Sequence, residues 1–205
     1  MPSLYLASKS PRRRELLTTI GVTDFEVMPV GMADVLTFVE GDEEQLSGES
    51  AENYVIRTAR EKALAAIAKI RAEGRESAPV LAADTVVISD GIVLGKPADR
   101  EEARRFMQHL SGRTHEVRTA VWVGTDAENL ASAVSVSRVT FTSLSEEQIE
   151  RYIATDEPYD KAGGYGIQGL AGLFIACIEG SYTGIMGLPV FETGNLLRPL
   201  GLTAV

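Results

Sequence analysis

The run Pro79-Val80-Leu81-Ala82-Ala83-Asp84-Thr85-Val86-Val87-Ile88 constrains the fold more than any other stretch of the chain. It is apolar at consecutive rather than alternate positions, broken only by Asp84 and Thr85. A strand with one wet face alternates in polarity, whereas a strand covered on both faces reads as a continuous apolar run. The turn residues Ser89-Asp90-Gly91 follow, and Ile92 to Leu94 is a short hairpin partner that ends at Gly95-Lys96-Pro97. A sheet that hides such a strand needs helices against it, which points to the α/β class.

The flanking patterns supply those helices. Leu4 to Ala7 reads as a strand, and Pro11 to about Ile20 as a helix with Ser10 as N-cap and Pro11 at the first helical position. Phe25 to Pro29 is a second strand. From Ser50 to about Arg71, Val55, Ala59, Ala63, Ala66 and Ile70 recur on one helical face. Asp99 caps a helix reaching Leu110, closed by Ser111-Gly112, and Ser145 with Gln148 forms a capping box for the helix Glu146 to Ala154. His115 to Gly124 and Ala131 to Thr142 read as strands able to pair as a hairpin. Phe174 to Ile178 and Ile185 to Met186 are expected as further strands, and Pro189 opens a final helix through about Leu197. Strands that alternate with helices but also form hairpins imply a mixed sheet. One compact domain over residues 1–205 is expected.

Charge and cysteine content exclude several classes. With 29 acidic against 20 basic residues and a net charge of −9, the chain lacks the broad basic stripe of a nucleic-acid-binding surface. Cys177 is the single cysteine, so no intramolecular disulfide forms, and its apolar neighbours predict a buried structural thiol. No apolar run approaches the ~20 residues of a membrane span, and the N-terminus lacks a signal-type pattern. A cytoplasmic protein is expected.

Against that acidic background, Ser8-Lys9-Ser10-Pro11-Arg12-Arg13-Arg14 is a local exception. Basic residues in a helix's first turn oppose the helix dipole, and the free N–H groups there attract anions. Ser8, Ser10 and the arginine forks together read as a phosphate site. Asp84 is a second signal, because a carboxylate inside so apolar a run must be paired, bound to a metal or exposed at a strand end. Lys96 follows the neighbouring short strand and suits a phosphate contact. In Asp160-Lys161-Ala162-Gly163-Gly164-Tyr165-Gly166-Ile167-Gln168-Gly169, four glycines surround an amide that both donates and accepts, as a ligand-wrapping loop requires. This stretch lacks the strand–turn–helix context of a dinucleotide fingerprint, and the chain has no P-loop. His109 and His115 have no metal-ligand spacing and read as ordinary surface or loop residues. The acidic stretch Thr37 to Gly48 reads as a solvated loop.

Taken in order, SKSPRRRELL, YVIRTAREKA, LAADTVV, LGKP, LSGRTHEV, EPYDKAGGYGIQG and GLP closely resemble the Maf family of nucleotide pyrophosphatases over almost the whole chain. The resemblance implies a mixed, elongated, twisted sheet flanked by helices, Maf/ITPase-like, with a central cleft between two lobes. It implies hydrolysis of a nucleoside triphosphate to the monophosphate and pyrophosphate with a divalent cation, Mg²⁺, Mn²⁺ or Co²⁺. Asp84 takes the family's proton acceptor role. Arg12, Thr85 and Gln168 match the subgroup acting on dTTP and UTP, where the 7-methyl-GTP subgroup shows Trp, Gln and Glu. Arg13, Lys62 and Lys96, with Ser8 and Ser10, would hold the phosphates. Asp84 would bind metal, with Asp34 the counterpart of the family's acidic cluster in the departing sequence Gly31-Met32-Ala33-Asp34. A homodimer is implied, and the family's tie to septum formation leaves a non-catalytic nucleotide sensor as the rival to an enzyme.

Overall fold

The computed structural model describes residues 2–31 and 45–203. Asp34 and residues 37–44 of the acidic stretch lie outside the described residues. Strands β1 (Leu4–Leu6), β2 (Phe25–Val27), β3 (Val80–Ser89), β4 (Ile92–Leu94), β5 (Thr114–Gly124), β6 (Ala131–Phe141) and β7 (Ile175–Glu179) form one mixed sheet in the order β2-β1-β3-β5-β6-β7, with β4 also on β3. β1 runs parallel to β2 and β3, while β4 is antiparallel to β3 and β7 to β6. The continuous apolar run at 79–88 is therefore the strand its pattern demands, and the expected α/β class with a mixed, helix-flanked sheet holds.

The chain divides into two compact units. The first comprises Met1–Asp84, Thr119–Val134 and Gly187–Val205, and the second Thr85–Arg118 and Ser135–Met186.

In the first unit, β1 is fully buried, with Tyr5 N–H donating to the Pro79 carbonyl and Ala7 N–H to that of Leu81, both at 2.8 Å. Helix α1 (Pro11–Thr19) starts as expected, with Ser10 accepting from Arg13 N–H. It ends at Gly21, whose φ of +82° suits the residue after a helix. Helix α2 (Ala51–Ala72) is capped by Ser50 and lays Ala63, Ala66, Ile67 and Ile70 against Tyr5, Val80 and Ala82. Alanines at the contact keep the helix close to the strands, and each larger apolar side chain buried there stabilises by roughly 1.5–3 kcal/mol. Helix α6 (Val190–Leu197) follows Pro189, as its pattern predicts.

The second unit has its own core. Helices α3 (Arg100–Leu110) and α4 (Glu146–Ile153) bury Met107, Leu110, Ile149 and Ile153 against Val87, Val117 and Val139. Asp99 caps α3, and the Ser145–Gln148 box opens α4 with both reciprocal bonds formed. An edge-to-face aromatic group of Phe141, Tyr165, Phe174 and Tyr152 completes this core.

Three expectations are corrected. Tyr182–Met186 is a short helix, α5, rather than a strand at Ile185–Met186, because Ser181 accepts from the Gly184 N–H and starts a turn where a strand would need extended backbone. Cys177 is exposed rather than buried, since β7 lies at one end of the sheet order and none of its five residues is fully covered. His115 is buried at 2% exposure rather than lying on the surface, bonded through Nε2 to the Tyr165 hydroxyl at 2.7 Å. Among the described residues, no helix is long and apolar enough to cross a membrane.

Candidate functional site

In the first unit, the segment leaving β1 turns so that Ser8 Oγ accepts from Ser10 N–H and from Arg13 Nη1, each at 3.2 Å. Arg13 Nε donates to the Gly187 carbonyl at 2.7 Å, so the guanidinium is held from two sides. Burial lowers the Arg13 pKa, the charge of Asp84 works against that, and neighbouring Arg12 adds to the lowering. Arg12 is half-buried and Arg14 exposed. Three of the expected phosphate ligands, Ser8, Ser10 and Arg13, thus share one turn, with Asp84 close enough to be felt electrostatically.

Asp84 sits within β3 rather than at its end, and α2 supplies its partners. Lys62 Nζ donates to Oδ1 at 2.8 Å and the Thr58 hydroxyl to Oδ2 at 2.7 Å. Thr58 and Lys62 are four residues apart on one helix face, the spacing that lets two side chains converge on a single carboxylate. Burial opposes the charge on Asp84. The attraction and hydrogen bond of Lys62, the charge of Arg13 and the Thr58 hydroxyl outweigh it, so the carboxyl lies below its ordinary value and is ionised at neutral pH. Thr58 was not among the residues expected at the site; its i, i+4 relation to Lys62 is the signal that would have found it.

Beside this group, Arg57 is bidentate on Glu49 at 2.8 and 2.9 Å and reaches Glu61 at 3.1 Å. A cavity of about 570 Å³ lies against this part of α2 and is lined by Glu49, Asn53, Ile56, Arg57, Arg60, Glu61 and Leu64. Arg60 also stacks over Trp122, whose indole N–H bonds the Ile56 carbonyl. None of Asp84, Lys62 and Arg13 lines that cavity, so its charges form a separate, mutually neutralising set.

The second unit holds the remaining expected residues. Thr85 directly follows Asp84 in β3 and is half-buried; Lys96 is exposed two residues beyond β4. The glycine-rich loop is brought to the same place: Gly163 N–H donates to the Gly95 carbonyl at 2.9 Å. Gly163 has φ +70°, and a Cβ there would approach Val87 Cγ2 to 2.8 Å, so only glycine lets the loop lie this close to β3. Downstream, Tyr165 is anchored to His115, and Gln168 is exposed in a turn just before Leu170, whose N–H donates to the carboxylate of Glu157.

Among the described residues, no group of three His, Cys, Asp or Glu side chains could hold a metal ion. Asp84 is a hard, ionised oxygen donor. Mg²⁺ is often bound by one or two carboxylates together with substrate phosphates, a role for which Asp84 is chemically suited.

The profile of the Maf family, described as Maf-like protein, matches residues 3–200. A protein of Bordetella avium (strain 197N) named dTTP/UTP pyrophosphatase is 51% identical over 202 residues, which span 98% of this chain and 96% of that protein. An Escherichia coli (strain K12) protein of the same name is 48% identical over 197 residues, 96% of this chain and 92% of its own. Among solved structures, the Staphylococcus aureus Ham1 protein aligns over 96% of each chain at 13% identity with a TM-score of 0.45.

Proposed function

The chain belongs to the Maf family, and from that premise we propose that it hydrolyses nucleoside triphosphates, dTTP and UTP foremost, between the α and β phosphates to the monophosphate and pyrophosphate. The observation that carries the reading is the ionised Asp84 held by Lys62 and Thr58, with Arg13 and Ser8 of the α1 turn beside it. A structural carboxylate needs no such surplus of phosphate-binding groups. The names of relatives that are about half identical over nearly their full lengths supply the substrate class.

Arg13, Lys62, Lys96, Ser8 and Ser10 are assigned to the phosphate oxygens, where they offset the charge that shifts toward the departing pyrophosphate. Asp84 orients a water for in-line attack on the α phosphorus and accepts its proton. While Lys62 is bonded to it, that carboxylate is a weak base. Phosphate oxygens that share the Lys62 ammonium would weaken this bond and raise the proton affinity of Asp84 at the moment it is needed. A divalent cation, Mg²⁺, Mn²⁺ or Co²⁺, bound by Asp84 and also by Asp34 would supply further neutralisation of phosphate charge. Arg12, Thr85 and Gln168 are assigned to substrate selection. The Gln168 amide offers the acceptor and donor that a thymine or uracil edge, with its N3–H and flanking carbonyls, requires.

A turnover panel of dTTP, UTP, CTP and 7-methyl-GTP with Mg²⁺ tests the reading. Pyrophosphate is expected from dTTP and UTP in preference to the others. Preference for 7-methyl-GTP would overturn the base assignment, and no release from any nucleotide would overturn hydrolysis in favour of nucleotide sensing.

A further inference from the structure

Gln168 lies in a turn whose conformation is set by a neighbour outside the expected site. Gly169 N–H donates to the Gly166 carbonyl at 3.0 Å, closing a β-turn with Ile167 and Gln168 as its two central residues. Ile167 is buried, which leaves Gln168 at the exposed apex. The chain then enters a 3₁₀ turn, Leu170–Leu173, whose first N–H groups lack partners within the turn. Glu157 satisfies both: Oε2 accepts from Leu170 N–H at 2.7 Å and Oε1 from Ala171 N–H at 3.1 Å. The Tyr152 hydroxyl, 3.1 Å from Oε1, donates to the same carboxylate. Gly169 makes this approach feasible, because a Cβ there would collide with the Glu157 carboxyl group. On the other side, Lys161 Nζ donates to the Glu157 carbonyl at 2.8 Å, and its stem lies where a Cβ on Gly166 would come within 2.9 Å of Cε.

We propose that Glu157 is a positioning residue for base recognition: its carboxylate, bridging two successive backbone N–H groups, holds the Gly166–Gly169 turn so that Gln168 meets a thymine or uracil edge already oriented. This rests on the reading of Gln168 as a base contact. A turn that is loose in the free protein loses conformational freedom on each binding event, and a clamped one has already lost it. The clamp touches no assigned phosphate ligand, so its loss falls on base-dependent binding and not on the chemical step.

The test compares wild type, Glu157→Gln, Gln168→Ala and the double variant on dTTP, UTP and CTP. Glu157→Gln keeps the side chain's size but replaces one acceptor by an NH₂ group facing an N–H. Its KM for dTTP and UTP is expected to rise about tenfold, the scale of a lost charged hydrogen bond, with kcat nearly unchanged and the preference over CTP narrowed in proportion. In the Gln168→Ala background the same change should have little further effect, and the Leu170 and Ala171 amides should exchange hydrogen faster. An equal loss on all three nucleotides, an unchanged preference, or additive effects in the double variant would overturn the proposal while leaving the Gln168 reading intact. If wild type shows no preference for dTTP and UTP over CTP, or Gln168→Ala changes nothing, the underlying reading falls and the proposal with it. Should Glu157→Gln fail to fold, Tyr152→Phe, which removes one donor to that carboxylate, carries the same comparison with a smaller factor.

Discussion

Asp84 must be charged to accept a proton, yet its place in a buried strand disfavours charge, and Lys62 and Thr58 reconcile the two demands. Replacing it with Asn removes the proton acceptor and leaves Lys62 facing a neutral amide. Asp84→Asn is expected to lower kcat for dTTP by about 10²–10⁴-fold, the usual worth of general base catalysis, in a pyrophosphate-release assay. The pH profile follows from the same partners. With the carboxyl held below its ordinary value, the acid limb of kcat/KM due to Asp84 should lie below about pH 3.9, where an unperturbed Asp titrates. In Lys62→Met, burial is opposed by fewer groups, so that limb should move upward; a limb that stays in place would show that Lys62 does not set the ionisation. Stability obeys the same sign. A depressed folded-state value stabilises the fold above the unfolded pKa, and that contribution is lost as pH falls through the folded one.

The helices illustrate which parts of the fold were legible from residues alone. Caps are local chemistry, so Ser10, Ser50, Asp99 and Ser145 marked four helix starts correctly. The Val55–Ala59–Ala63–Ala66–Ile70 stripe also identified the buried face of α2. Convergence in space was less legible: that Thr58 lies beside Asp84, or that Glu157 reaches Leu170 and Ala171, depends on how elements dock, which no local pattern encodes. The short helix α5 was misread because Ile185-Met186 is apolar, while its start depends on the Ser181 side chain. The capping box of α4 provides a test at this scale. Ser145→Ala should destabilise the protein by about 1 kcal/mol in urea-induced unfolding, with turnover unchanged, since the box contacts none of the assigned site residues.

At the scale of the molecule, His115 makes stability depend on pH in a window separate from that of Asp84. Burial, reinforced by the charge of His109, lowers its pKa to about 4. The unfolded chain binds a proton there near pH 6.5, while the folded chain resists doing so, so this contribution is complete above 6.5 and is lost as pH falls toward 4. The urea midpoint of wild type should therefore fall relative to that of His115→Phe as pH drops from 7 to 4.5; parallel curves would contradict the assignment. The sequence did not reveal this, because a histidine amid Arg113, Thr114 and Glu116 reads as solvent-exposed until β5 places alternate side chains inward.

The bond from Arg13 to the Gly187 carbonyl joins residues 174 positions apart. Its consequence concerns synthesis. Protein is made from the N-terminus onward at about 5–20 residues per second, so the helix carrying the arginines emerges long before the carbonyl that steadies one of them. The first unit likewise lacks its last segment until Gly187–Val205 has been translated. A ribosome-bound chain halted before residue 187 thus has Arg13 and Asp84 but not the strut that holds the arginine in place, and chains cut short at that point should bind phosphate poorly even where the strands have already paired.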